Sequence, residues 1–125
     1  MKIIIKVFSF FFFFFFFLNP SFSSYEIYGI SGEVEYLLVP ESHIWRENPR
    51  IWTIKRYSDP TSKFIVIYSF QEGDCKNNKI RYRSQTWVLR EERIGGQLLN
   101  DKKVKRWRIV DKDNFEDYLL SYLCT

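Results

Sequence analysis

Histidine is nearly missing from this sequence: His43 is the only one among 125 residues. A Ser-His-Asp triad would have to use it, yet Glu41-Ser42-His43-Ile44 has none of the glycines of a strained nucleophile elbow, and a loop histidine is the simpler reading. Cysteine is almost as scarce. Cys75 and Cys124 stand alone, with no CxxC spacing and no histidine cluster to join, which argues against a metal centre. The carboxylates Glu91-Glu92 and Asp111/Asp113 could in principle pair as acid and base. Glu91-Glu92 reads more plainly as the polar end of a hairpin, and Asp113 as a helix cap. No motif with catalytic mechanics remains, so neither an enzyme activity nor a cofactor is expected.

Long apolar runs are equally rare, and the only one lies at the start. Lys2 and Lys6 precede an apolar block from Val7 to Leu18 that holds eight consecutive phenylalanines, Phe10 to Phe17, before a break at Asn19-Pro20. Such a block is well short of the roughly 20 residues that span a bilayer. Small residues follow at Ser21-Phe22-Ser23, where a signal peptidase would cut. Residues 1–23 therefore read as a signal peptide and 24–125 as one exported domain, with an uncleaved Phe-rich anchor as the alternative. Either reading exports the chain, to a periplasm or to the cell surface and beyond. No cysteine stands at the cleavage site to carry a lipid, and after cleavage no membrane span is expected. Removing the leader takes ten of 13 Phe and two of 19 basic residues, leaving 17 Lys and Arg against 15 Asp and Glu. The formal charge falls to +2, that of a balanced protein and not of a polycation.

Export changes the chemistry open to the two cysteines, since thiols oxidise outside the cytosol. A Cys75–Cys124 disulfide is the expected state, with a metal site or a reactive thiol as the competing readings. Closing so long a loop removes denatured-state entropy worth at most about 4 kcal/mol, a large share of the net stability of a small domain.

The middle of the chain reads in steps of two. Tyr25–Ile30, Val34–Val39, Ile51–Tyr57, Phe64–Phe70, Ile80–Leu89, Gln97–Leu99 and Arg106–Val110 are β-rich runs broken by turn residues such as Gly32, Pro40 and Ser58-Asp59-Pro60. The most apolar of them, Phe64–Phe70, has the pattern of a central strand covered on both sides, joined to the next by a hairpin through Gly73 to Asn78. Gly95-Gly96 breaks the connection after Leu89. The period then changes: Phe115, Tyr118, Leu119, Tyr122 and Leu123 form one stripe on a helix, with Asp113 as its cap and Glu116 three residues on for a capping box. These elements predict an α+β fold, a meandering antiparallel sheet of about six strands with a C-terminal helix packed on it and tied by one disulfide.

Three stretches resemble a known family. They are Ile51-Trp52-Thr53-Ile54 ending in Tyr57, then Phe70-Gln71-Glu72-Gly73-Asp74-Cys75 followed by Ile80-Arg81-Tyr82-Arg83, and then Gly96, Trp107-Arg108-Ile109 and a terminal helix closing on Leu123-Cys124. In order and spacing residues 24–125 are similar to the bacterial surface-adhesin protein E-like family. The resemblance implies the same sheet and tethered helix, and it implies binding: a surface lipoprotein of that family attaches to host matrix proteins such as vitronectin and laminin. This chain differs in lacking the lipidated cysteine. It also has Val39 where many relatives carry Asp, and Val110-Asp111-Lys112-Asp113 where they carry Pro-Gly-Ser.

One run of charge is a candidate site. Lys102, Lys103, Lys105, Arg106 and Arg108, interleaved with Val104 and Trp107, have a spacing that suits sulfated polysaccharides and other polyanions. The plain alternative is a solvated turn leading into a strand at Arg106. Arg81, Arg83, Arg90 and Arg93 near Tyr82 and Trp87 form a second basic group, read as the exposed face of a sheet, and no nucleic-acid partner is expected. Trp45, Trp52, Trp87 and Trp107 read as core or sheet-face residues. The partners expected are an extracellular protein or a sulfated polysaccharide, with a homodimer through exposed strand edges also open. A periplasmic accessory protein or enzyme inhibitor is the alternative function.

Overall fold

The computed structural model describes residues 25–90 and 97–125. The segment read as a signal peptide and the Gly95-Gly96 break lie outside the described residues. Seven strands are present among those described: β1 (Glu26–Ser31), β2 (Val34–Leu38), β3 (Arg50–Tyr57), β4 (Phe64–Asp74), β5 (Lys79–Leu89), β6 (Gln97–Asp101) and β7 (Arg108–Ile109), followed by a helix, α1 (Phe115–Cys124). The first six pair antiparallel in chain order, and β7 pairs with the start of β5. This is the predicted meander with its C-terminal helix. No helix among the described residues is long and apolar enough to cross a membrane.

The expected strand Arg106–Val110 shrinks to two residues because β6 and β7 are parts of one interrupted edge. Asp101 pairs with Gln85 and Arg108 with Ile80, so six residues, 102–107, stand opposite four of β5. The surplus bulges out, held at its middle by the Lys105 N–H donating to the Tyr82 carbonyl.

Side chains alternate across a sheet, so each strand feeds two faces. On one face Leu38, Ile51 and Ile80 meet Val110 and the helix residues Leu119, Leu120 and Leu123, which together form the buried core. Of the stripe read from periodicity, Leu119 and Leu123 lie in the core, Tyr122 packs against it and Phe115 sits over Gly29, but Leu120 takes the place expected of Tyr118. Leu120 is buried, whereas Tyr118 is 49% exposed and donates its hydroxyl hydrogen bond to the Glu26 carboxylate. The cap is also one residue later than expected. Asn114 Oδ1 accepts from the Phe115 N–H at 2.6 Å, while Asp113 adopts a left-handed φ of 70° in the turn before the helix. Glu116 is drawn to Arg108 and not back toward the cap.

Two glycines let the helix come close. β4 runs on to Asp74, so Gly73 is a strand residue and not part of the hairpin loop as expected. A Cβ there would lie 2.9 Å from Leu120 Cδ1, and one on Gly29 would lie 2.5 Å from Phe115 Cγ. The Cys75–Cys124 disulfide closes the same junction, with Cα atoms 5.8 Å apart, where β4 ends and α1 ends. The other face of β4 is open, contrary to the pattern of a strand covered on both sides. The ten residues of α1 are the only described layer on the sheet, and they lie on one side of it.

Two outcomes follow for stability. Replacing both cysteines by serine lowers the unfolding free energy by up to about 4 kcal/mol in urea titrations. Gly29→Ala costs about 2 kcal/mol and more than Gly73→Ala, because an aromatic ring cannot yield as the end of a leucine can; the reverse order would contradict this packing.

Candidate binding surfaces

The open face is built in rows by strand register. Ile27, Leu37, Ile54 and Tyr68 are successive partners from β1 to β4, and Thr86 and Asn100 extend the row to β6. Beside it Val66, Val88 and Leu98 form a second apolar line. On the other side Trp52 faces Phe70 with ring centroids 5.0 Å apart. Trp52 is 37% exposed, Tyr68 41%, Ile27 48% and Leu98 61%. A contiguous apolar surface of this kind on a folded domain marks a contact site.

The next row is charged. Arg50, Glu72 and Arg81 are register partners across β3, β4 and β5, and Arg83 joins them from a bulge in β5. Glu72 is 2% exposed, and both its oxygens are taken: Oε2 accepts from Arg50 Nε at 2.9 Å, while Oε1 accepts from Arg81 Nε at 2.6 Å and Arg83 at 3.0 Å. Trp107 stacks on Arg81, with the guanidinium carbon 4.1 Å from the ring centroid. Burial pushes the Glu72 carboxyl up, but the hydrogen bonds from Arg81, Arg50 and Arg83 outweigh it and hold the group below its ordinary range. Three guanidiniums against one carboxylate leave a formal +2 beside the Trp52–Phe70 pair.

The basic run read from the sequence is divided by its surroundings. Lys105 is paired with Asp101 at 2.6 Å, and Arg108 with Glu116 while its guanidinium lies over Tyr82. Lys102, Lys103 and Arg106 are exposed in the bulge, and Arg106 precedes Trp107, which stacks on Arg81 of the Glu72 cluster. In the second basic group, Arg81 and Arg83 are bound to Glu72, Arg90 donates to the Ser62 and Asp59 carbonyls, and Arg93 lies outside the described residues, as do Glu91 and Glu92. Asp111 and Asp113 are exposed. His43 is a fastener: Nε2 donates to the Leu123 carbonyl at 3.2 Å and the ring packs on Trp45 and Tyr122.

Sequence reasoning overlooked Glu72 as a hub. The available signal was a carboxylate inside a long β-rich run, which needs cations from neighbouring strands. A scan against protein-family models found no match, and searches among curated proteins and among solved structures returned none.

Removing the hub leaves three guanidiniums without their shared partner. Glu72→Gln is expected to cost about 3 kcal/mol at neutral pH in urea unfolding. A lowered folded pKa supplies stability above the unfolded value of about 4.3 and loses it as pH falls through the folded value. The gap between native protein and variant therefore narrows below about pH 4; a gap that does not change with pH would contradict the ion cluster.

Proposed function

We propose that this chain is an exported, non-catalytic recognition protein of the surface-adhesin E-like kind, which attaches to an extracellular protein through the open sheet face. The observation that carries the reading is an exposed apolar and aromatic surface, Trp52, Tyr68, Ile27 and Leu98, bordered by an excess of guanidinium from Arg50, Arg81 and Arg83. Aromatic and arginine side chains dominate the energetics of protein interfaces. The complementary partner presents apolar side chains ringed by carboxylates. Lys102, Lys103 and Arg106 extend the positive field from the bulge and speed encounter with such an acidic surface.

A sulfated polysaccharide would engage these cations but would leave the aliphatic rows of Ile27, Ile54, Val66 and Leu98 unused, so protein is the better occupant. The disulfide supports the exported setting, because it persists in an oxidising compartment. Attachment also requires display, which separates this reading from a periplasmic accessory or inhibitor protein: protease added to intact cells removes the former and spares the latter.

Binding to immobilised vitronectin and laminin is the direct test. The disulfide-bonded protein binds one of them saturably, and Trp52→Ala weakens it about 30-fold, the loss of one central anchor worth about 2 kcal/mol. Removing Lys102, Lys103 and Arg106 together slows association and flattens its salt dependence with a smaller change in affinity. If affinity is unchanged by Trp52→Ala but follows those three cations, with retention on heparin to match, the ligand is a polyanion and the proposal fails.

A further inference from the structure

The helix covers only part of its own face of the sheet, and beyond its N-terminal end lies a cavity of about 360 Å³. On the opposite side of the sheet from the surface described above, its floor is unexpectedly polar. Thr53, Ser69 and Gln85 are register partners across β3, β4 and β5, and Gln71 stands beside them. Core positions of a sheet are ordinarily aliphatic. Here they carry a hydrogen-bond network instead.

That network fixes the Gln71 amide. Thr53 Oγ1 donates to the Ser69 carbonyl, so it accepts from Gln71 Nε2, at 2.7 Å. Gln85 Nε2 donates to Ser69 Oγ. Gln71 Oε1 is left as a buried acceptor with no partner, on a residue only 3% exposed. An acceptor taken out of water without a donor is destabilising, and a ligand that supplies the donor relieves that cost. The Tyr28 hydroxyl stands near the same amide, without a hydrogen bond of ordinary geometry to Oε1.

Among the described residues Lys55 is the only cation lining the cavity, its ammonium 5.5 Å from the Tyr36 ring centroid. Burial works against that charge, but Tyr57 and Tyr36 more than offset it, so the side chain is cationic at neutral pH. Glu116 is the only carboxylate in the lining and is neutralised by Arg108. Tyr28, Tyr36 and Phe115 supply aromatic walls, with Tyr36 and Phe115 centroids 4.9 Å apart. Burial pushes the Tyr28 hydroxyl well above its usual titration range and raises that of Tyr82, so both remain donors.

From this juxtaposition we infer that the cavity is a binding site for a small hydroxylated carboxylic acid of sugar size, a uronic acid being the fitting class. Oε1 is closed to water-sized groups as placed, so a small turn of the Gln71 amide toward the cavity brings it to a ligand hydroxyl, which supplies the donor it lacks; the ligand carboxylate meets Lys55, and the C–H face of its ring lies against the tyrosines. The volume falls near the lower end of the roughly 300–1,000 Å³ typical of ligand pockets, enough for one sugar ring and too little for a large cofactor. This site is independent of the open face and does not depend on the attachment reading.

The test is an NMR titration of the disulfide-bonded protein with D-glucuronate, D-glucose and acetate. Glucuronate binds saturably and shifts the Gln71 side-chain amide and the Phe115 N–H, while glucose, lacking the charge, and acetate, lacking the hydroxyls, bind at least about tenfold more weakly. Lys55→Met lowers glucuronate affinity about tenfold and leaves glucose unchanged. Gln71→Leu, which removes the orphan acceptor, weakens both sugars. The half-buried Lys55 position keeps the first variant folded, and the native titration stands without either variant. No saturable shift at these residues, or an equal response to acetate and glucuronate, overturns the proposal; so does undiminished glucuronate binding by Gln71→Leu, which would mean that the acceptor takes no part in binding.

Discussion

The close approach of α1 to β4 is the constraint on which the rest of the molecule depends. A ten-residue helix is too short to be stable alone in water, and here Leu119, Leu120 and Leu123 are buried only because Gly29 and Gly73 let it sink onto the sheet. The Cys75–Cys124 bond fixes the end of the helix to the end of the strand it packs on, and His43 fastens the same helix end through the Leu123 carbonyl. Helix, bridge and glycines therefore act at one junction. Because the helix is short, its cover ends near Phe115, and the remaining inner face is free to form a cavity.

The same economy accounts for the open face. Among the described residues, one helix and one sheet leave no second layer over Trp52, Tyr68 and Ile54, yet the register places them side by side. A bare apolar sheet invites aggregation, and the charged row of Arg50, Glu72, Arg81 and Arg83 borders it. Glu72 is tied by three donors, which spreads one carboxylate over three strands and leaves residual positive charge. The cluster that ties three strands together thus also sets the charge at the edge of the open face.

Much of the architecture was legible from the sequence because its signals are local. Period-two runs mark β2 to β5, the switch to a helical stripe marks α1, and two cysteines admit one pairing. The errors share a cause, which is that contacts between distant residues decide details that local patterns cannot carry. Asp113 yields the cap to Asn114 because the preceding turn needs a left-handed residue, and Tyr118 turns outward toward Glu26. Gly73 looks like a loop residue until the helix above it is seen. Of the sites, the basic run was visible as composition, whereas its division by Asp101 and Glu116 was not. The Glu72 hub and the orphaned Gln71 acceptor exist only through cross-strand neighbours.

Hydrogen exchange measured before and after reduction of the disulfide tests the central claim most directly. In the oxidised protein the α1 amides and those of Gly73 and Ile80 exchange as one slow unit, and reduction speeds them together while the β3–β4 pairing around Trp52 and Phe70 changes much less. Exchange that rises uniformly over the whole sheet, or a helix whose protection is unaffected by reduction, would contradict the account.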